Sequence, residues 1–205
     1  MKISIVIFDD FTDIDLYLMW DLFNRVRLPG WEVRIIGDKS HHRSTTGLET
    51  ATHGSLEEAN DSDVVMFVSG LGTRTKMHDK VWLSRFNLNP EKQMIASVCS
   101  GALLLAALGL LEGKTATTYP TTKQVLEGLG ITVEEKPFIA HGNVATSGGC
   151  LAAQYVVGWV LEKKADTAWK ELVLKSIQPV GEGLHFSDAT ELVKLYAPTP
   201  KASAV

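Results

Sequence analysis

Residues 94–111 read MIASVCSGALLLAALGLL. A short, nearly continuous apolar run from Met94 to Val98 meets Cys99-Ser100-Gly101 and then an Ala/Leu-rich stretch. An apolar run of that length, closed by small residues and followed by strong helix formers, predicts a buried strand that turns sharply into a helix. The junction has the makings of a nucleophile elbow, in which small neighbours allow a tight corner and the corner side chain stands at the carboxyl edge of a sheet. A helix amino terminus adds positive potential there, which favours a thiolate over a free thiol with a pKa of about 8.5. A cysteine acting as a small buried hydrophobe fits the same residue, so spacing alone leaves both readings open for Cys99.

Working outward, KISIVIF (residues 2–8), WEVRIIG (31–37) and DVVMFVSG (63–70) are three more apolar runs of strand length, and MIASVCSG (94–101) is the fourth. Between the first two, Leu16, Leu18, Met19, Leu22, Phe23 and Val26 recur at three- and four-residue steps, which predicts a helix over 15–26. A further helix is expected over 79–87. After the elbow the pattern repeats with TATT, a helix over 123–128, ITVEE and a hairpin-like FIAHGNVATS. CLAAQYVVGWVLEKK and ADTAWKELVLKSI then read as two helices. Strands alternating with helices specify a doubly wound α/β domain, a mostly parallel sheet with helices on both faces. Ligands in such sheets bind beyond the carboxyl ends of the strands. A single domain over 1–195 is expected, with a frayed Pro/Ala/Ser-rich tail over 196–205.

The chain has 205 residues, 45% of them hydrophobic and 21% charged, with a net charge of -4. That balance lacks the basic excess of a nucleic-acid binder, and no apolar run is long enough to span a membrane. The apolar stretch of the amino terminus is too short for a signal peptide, and two cysteines do not make a disulfide framework, so a cytoplasmic chain with reduced thiols is expected. The six histidines are scattered without HExxH or CxxC company, so no metal site and no cofactor is expected.

Three further features bear on chemistry. Ser69-Gly70-Leu71-Gly72-Thr73 follows the third strand, and a glycine-rich turn there can aim backbone N–H groups at a developing negative charge, although a plain connecting turn has the same composition. Four acids crowd the first strand-to-helix loop: Asp9, Asp10, Asp13 and Asp15. Asp15 reads as a first-turn acid favoured by the helix dipole, with Thr12 as the cap, and equally as a partner for the Cys99 sulfur, because strands one and four are expected to be central neighbours; one residue can serve both purposes. Cys150, after Ser147-Gly148-Gly149, reads as buried filler beside a close-packed backbone.

Taken in order, IVIFDDFTDIDL, SGLGT, SVCSGA, GLLEGKTATTYP and VATSGGCLAA resemble the ThiJ/PfpI superfamily. The resemblance implies a flavodoxin-like fold related to class I glutamine amidotransferases, and a homodimer. Within that superfamily the chain is most similar to the isonitrile hydratase-like subgroup. The resemblance assigns Cys99 as nucleophile, Ser100 as the hydroxyl residue after it, Asp15 as the acid, and Gly70 and Leu71, with Gly72 in the same turn, as an oxyanion and substrate-binding pocket. Cys99-Ser100-Gly101 stands where PfpI-type peptidases carry Cys-His-Gly, which argues against a peptidase. Tyr119 stands where relatives often have His, so a Cys-His pair is missing there.

These readings converge on a cysteine-dependent enzyme that hydrates or hydrolyses a small electrophilic carbon, with a small-molecule substrate as its partner. Two rivals remain at this level: glyoxalase or deglycase-like activity on 2-oxoaldehydes, and a non-enzymatic sensor in which Cys99 is oxidised.

Overall fold

The computed structural model describes residues 1–179. The expected boundary at residue 195 and the tail beyond it lie outside the described residues. Strand β1 (Lys2–Val6) is buried from Ile3 onward. It leads through the acid-rich loop into α1 (Asp13–Asn24), which buries Leu16, Met19, Leu22 and Phe23. Next come β2 (Glu32–Gly37), a small hairpin of β3 (His41–Arg43) and β4 (Glu49–Ala51), and the two-residue β5 (Gly54–Ser55). Wholly buried β6 (Val64–Phe67) is followed by two single-turn helices, α2 (Thr73–Lys76) and α3 (Lys80–Leu83). Then β7 (Met94–Val98) turns through a 3-10 turn at Cys99–Gly101 into α4 (Ala102–Ala107). The chain continues through β8 (Thr115–Ala116), α5 (Pro120–Gly128), β9 (Thr132–Val133) and the hairpin of β10 (Phe138–His141) and β11 (Val144–Ser147). A second 3-10 turn, Cys150–Ala152, opens α6 (Ala153–Lys164), and α7 (Thr167–Lys175) follows.

The seven-stranded sheet has the order β10-β11-β7-β6-β1-β2-β5, parallel throughout except for β10. Helices α1, α6 and α7 pack together as one layer, and α2, α4 and α5 as another, with α4 and α6 both resting on β7. Every residue of β6, β7 and β11 is buried, which is why these strands read as apolar runs instead of alternating ones. The doubly wound, flavodoxin-like architecture is therefore present.

Several local expectations are corrected. Helix α1 begins at Asp13, two residues before Asp15, and Thr12 occupies the N-cap position without a side-chain cap bond. The expected helix over 79–87 is only the single turn of α3, Lys80–Leu83, which Asp79 caps by accepting the Trp82 N–H at 2.9 Å, and a separate turn, α2, precedes it. ITVEE does not join the main sheet, since β9 pairs only with β8 in a separate two-stranded sheet. The elbow helix stops at Ala107, shortly before Gly109 takes a positive φ of 73°. Most consequential is the sheet order: strands one and four are not neighbours, because β6 lies between β1 and β7.

Gly101 holds the elbow against the sheet. A Cβ at this position would lie 2.7 Å from the Phe67 carbonyl oxygen and 2.8 Å from that of Val68, both backbone atoms that cannot step aside. Overpacking of this kind costs about 1–3 kcal/mol. Gly101→Ala is therefore expected to lower Tm by several degrees, at roughly 2–4 °C per kcal/mol for a chain of this size. Gly128→Ala at the end of α5, where nothing lies within 4 Å, is expected to leave Tm unchanged or raise it. Equal melting temperatures for the two variants would contradict this account of the elbow.

Candidate functional site

Cys99 has φ 53°, one of two non-glycine residues with positive φ among those described. Holding a residue that bears a Cβ in this region costs about 1–3 kcal/mol. The surroundings hold it there: the Thr118 hydroxyl donates to the Cys99 carbonyl at 2.8 Å, and Gly101 nests under the end of β6. The corner turns the thiol into a cleft of about 360 Å³ at the carboxyl ends of the strands, within the range of small-molecule sites.

The first loop reaches this cleft through the turn after β6. Thr12 N–H donates to the Ser69 carbonyl at 2.8 Å, Phe11 bridges to Gly70, and Ser69 N–H donates to Asp15 Oδ2 at 3.1 Å. Asp15 is fully buried, and its Oδ1 has no hydrogen-bond partner. The other three acids are turned elsewhere. Asp9 accepts from Lys39 and lies 2.8 Å from His42 Nδ1, Asp13 accepts the Thr46 hydroxyl at 2.9 Å, and Asp10 takes the second positive φ, 61°. Asp15 thus comes to the site, though not by the strand adjacency that suggested it.

Cys150 joins Asp15 and Cys99 at the site, and its thiol influences the ionisation of both. The register explains the meeting. Strand β11 pairs in parallel with β7, Ser147 opposite Val98, so the two chains leave the sheet side by side and each enters a 3-10 turn at its cysteine. The reading of Cys150 as buried filler is corrected: it lines the cleft, and it is more exposed than Cys99, which is only 8% exposed. The motif VATSGGC carried the signal, because it is a second strand ending in small residues at a helix start.

The three groups perturb one another. The hydrogen bond from Cys150 is the largest influence on Cys99 and lowers its pKa, aided by Ser69 and the Ser100 N–H and opposed by burial and the Asp15 charge. Cys150 shifts strongly upward, first because its proton is held toward Cys99, then through burial and the nearby Asp15. Burial raises Asp15, against the hydrogen bonds from Ser69 and Cys150. The arrangement shifts Cys99 toward the thiolate, and Cys150 and Asp15 toward their protonated forms.

The glycine turn is built differently from expectation. Gly70 N–H is 3.2 Å from Ser100 Oγ, which also lies 3.2 Å from Thr73 Oγ1. The Gly70 amide is therefore already engaged, and the Ser100 hydroxyl braces the turn as well as lining the cleft. Among the described residues the Leu71 N–H has no partner, so it is the amide of this turn left for a ligand. Gly72 lies against the first loop, where a Cβ would be 2.1 Å from the Asp9 carbonyl oxygen, and its own N–H points to Asp10 O at 3.4 Å. Arg74 is the one charged residue among those lining the cleft, and Tyr119 forms part of its rim. No histidine lines it. Among the described residues, no three His, Cys, Asp or Glu side chains gather as a metal-binding group, and no helix is long and apolar enough to cross a membrane.

Residues 1–163 match the DJ-1/PfpI family. The isonitrile hydratase of Pseudomonas putida is 29% identical over 154 residues, 74% of this chain and 67% of that protein. A deglycase of Pyrococcus abyssi is 25% identical over 157 residues, covering 72% of this chain and 89% of that protein. Among solved structures, a ThiJ/PfpI family protein from Pseudomonas syringae aligns with a TM-score of 0.78 at 22% identity, over 96% of this chain and 86% of its own, which speaks to fold. With the elbow, the sheet order and a family match across all strands of the sheet, the chain belongs to the DJ-1/PfpI family.

Proposed function

We propose that the protein is a cysteine-dependent enzyme that hydrates an isonitrile to an N-substituted formamide. The observation that carries this reading is the meeting of Cys99, its pKa lowered, with Asp15, buried and its pKa raised, around the Cys150 thiol, beside a cleft of small-molecule size. The similarity to an isonitrile hydratase supports it. Cys99 thiolate adds to the terminal isonitrile carbon, and that carbon takes the proton held by Asp15, giving a thioimidate on Cys99. Asp15 does not line the cleft, so the proton passes through the Cys150 thiol that touches both groups. Asp15, now a carboxylate, takes a proton from water as the water attacks the thioimidate carbon. The hydroxyl proton of the tetrahedral species moves to its nitrogen, and collapse expels Cys99 thiolate and releases the N-substituted formamide. The Leu71 N–H stabilises the developing charge, and the Ser100 hydroxyl positions the substrate or the water. Two free thiols in contact also suit a reducing cytoplasm, and the family resemblance favours a homodimer.

A panel of an alkyl isonitrile, methylglyoxal and a short peptide, run on wild type and Cys99→Ala, tests the reading. Turnover of the isonitrile alone, abolished in the variant, is the expected result. Turnover of methylglyoxal alone would replace this reading with the deglycase-like one that the Pyrococcus abyssi relative suggests.

Asp15→Asn separates proton transfer from packing. Asn still accepts the Ser69 N–H but cannot give up and regain a proton. A carboxyl whose pKa is raised in the folded state stabilises that state only while protonated, so it costs stability as pH rises above the unfolded value of about 3.9. The variant is expected to melt at or above the wild-type temperature at neutral pH while kcat falls at least ~10²-fold. Retained turnover would reduce Asp15 to a structural acid.

Alkylation tests the ionisation pattern. Iodoacetamide is expected to label Cys99 faster than Cys150 at neutral pH, although Cys150 is the more exposed. The Cys99 rate should reach its plateau below the usual thiol pKa of about 8.5. Cys150→Ala should move that plateau to higher pH, because it removes the hydrogen bond that most favours the thiolate. Faster labelling of Cys150 in the wild type would reverse the assignment.

A further inference from the structure

Hydration uses one sulfur as nucleophile, yet the fold brings two together. Parallel strands β7 and β11 end level with each other, Val98 opposite Ser147, and each is followed within three residues by a cysteine at the first position of a 3-10 turn. Both cysteines are free, both line the same cleft, and each thiol perturbs the ionisation of the other. We propose that Cys99 and Cys150 form a two-cysteine redox site, in which a hydroperoxide oxidises Cys99 and Cys150 resolves the product as an intramolecular disulfide.

The steps balance with the hydroperoxide as the only oxidant. Cys99 thiolate attacks one peroxide oxygen, the O–O bond breaks, and the departing alkoxide or hydroxide takes a proton, leaving Cys99 as a sulfenic acid. Cys150 sulfur then attacks the Cys99 sulfur, the S–O bond breaks, and the oxygen leaves as water. The two thiols lose two electrons together, and the peroxide gains them. The second step suits this site. The main influence holding the proton on Cys150 is its hydrogen bond to Cys99, and that influence falls away once Cys99 is a neutral sulfenic acid. The Cys150 proton leaves with the sulfenic oxygen as water, so the step consumes no other acid or base.

The turn that carries Cys150 has room around it. Cys150 follows Gly149, whose φ is 105° and whose surroundings are open, the nearest side-chain atom to an added Cβ being Tyr119 Cδ2 at 3.9 Å. Cys150 also lines a second cleft of about 560 Å³ with Tyr119 and Tyr155, which gives a thiol reductant a route to the Cys150 side of the bond. The sensor reading of Cys99 expects oxidation to stop at sulfenic acid or run on to sulfinic acid. A resolving thiol in contact diverts it to a reversible disulfide.

The experiment treats the intact protein with one equivalent of hydrogen peroxide, blocks remaining thiols with iodoacetamide, and maps unreduced peptides by mass. The expected wild-type result is a Cys99 peptide joined to a Cys150 peptide within one chain, no alkylated thiol, and release by a dithiol reductant. Cys150→Ser should instead accumulate sulfinic acid on Cys99 under excess peroxide. If that variant misfolds, the wild-type map decides alone. A Cys99 sulfinic acid beside an alkylated Cys150 in the wild type would overturn the proposal, as would linkage only between chains. The readout needs no substrate turnover, so it stands or falls separately from isonitrile hydration.

Discussion

The site rests on the left-handed backbone at Cys99. A residue with a side chain avoids that region, and the strain of about 1–3 kcal/mol must be offset by the surroundings. Here the offset comes from a fully buried β7, the Thr118 hydroxyl on the Cys99 carbonyl, and the contact of Gly101 with the Phe67 and Val68 carbonyls. In return the corner places the sulfur above the sheet edge, where the Ser100 N–H and the Cys150 thiol both favour its ionised form. The placement of the thiol in the cleft is a product of this constraint, since the same cysteine inside β7 would be packing material.

Electrostatic economy explains the company that Cys99 keeps. An ionised Asp15 would oppose the thiolate, and the Asp15 charge does push Cys99 upward. Full burial shifts Asp15 toward its protonated form, with Oδ1 left unpartnered, which lessens the opposition to a thiolate nearby. A buried acid with an empty lone pair and a cysteine with positive φ are both stability liabilities, and such liabilities concentrate where chemistry is done.

Much of the fold was legible in local pattern. The apolar runs of β1, β6 and β7 are buried on both faces, and only such strands lose the alternation of a half-exposed one. The elbow was legible for a similar reason, because Cys-Ser-Gly between a strand run and an Ala/Leu run leaves few other structures open. Short elements were not legible. The hairpin of β3 and β4 and the separate pair of β8 and β9 are two or three residues long, too short for any periodicity to register.

Sequence by itself determined the α/β class, the corner at Cys99 and the candidacy of Asp15, because each depends on residue types within a few positions of one another. Only the tertiary structure decided the wiring between them. Strand order is a long-range property, and it placed β6 between β1 and β7, so Asp15 arrives through the Ser69 turn and not from an adjacent strand. Register between β7 and β11 turned Cys150 from filler into a thiol that meets both Asp15 and Cys99. The packing of the turn also gave the Gly70 amide to Ser100 and left Leu71 free. Local sequence chooses which side chains are present, but the approach of residues up to 135 positions apart is set by how buried strands pair, and no neighbouring residue encodes that.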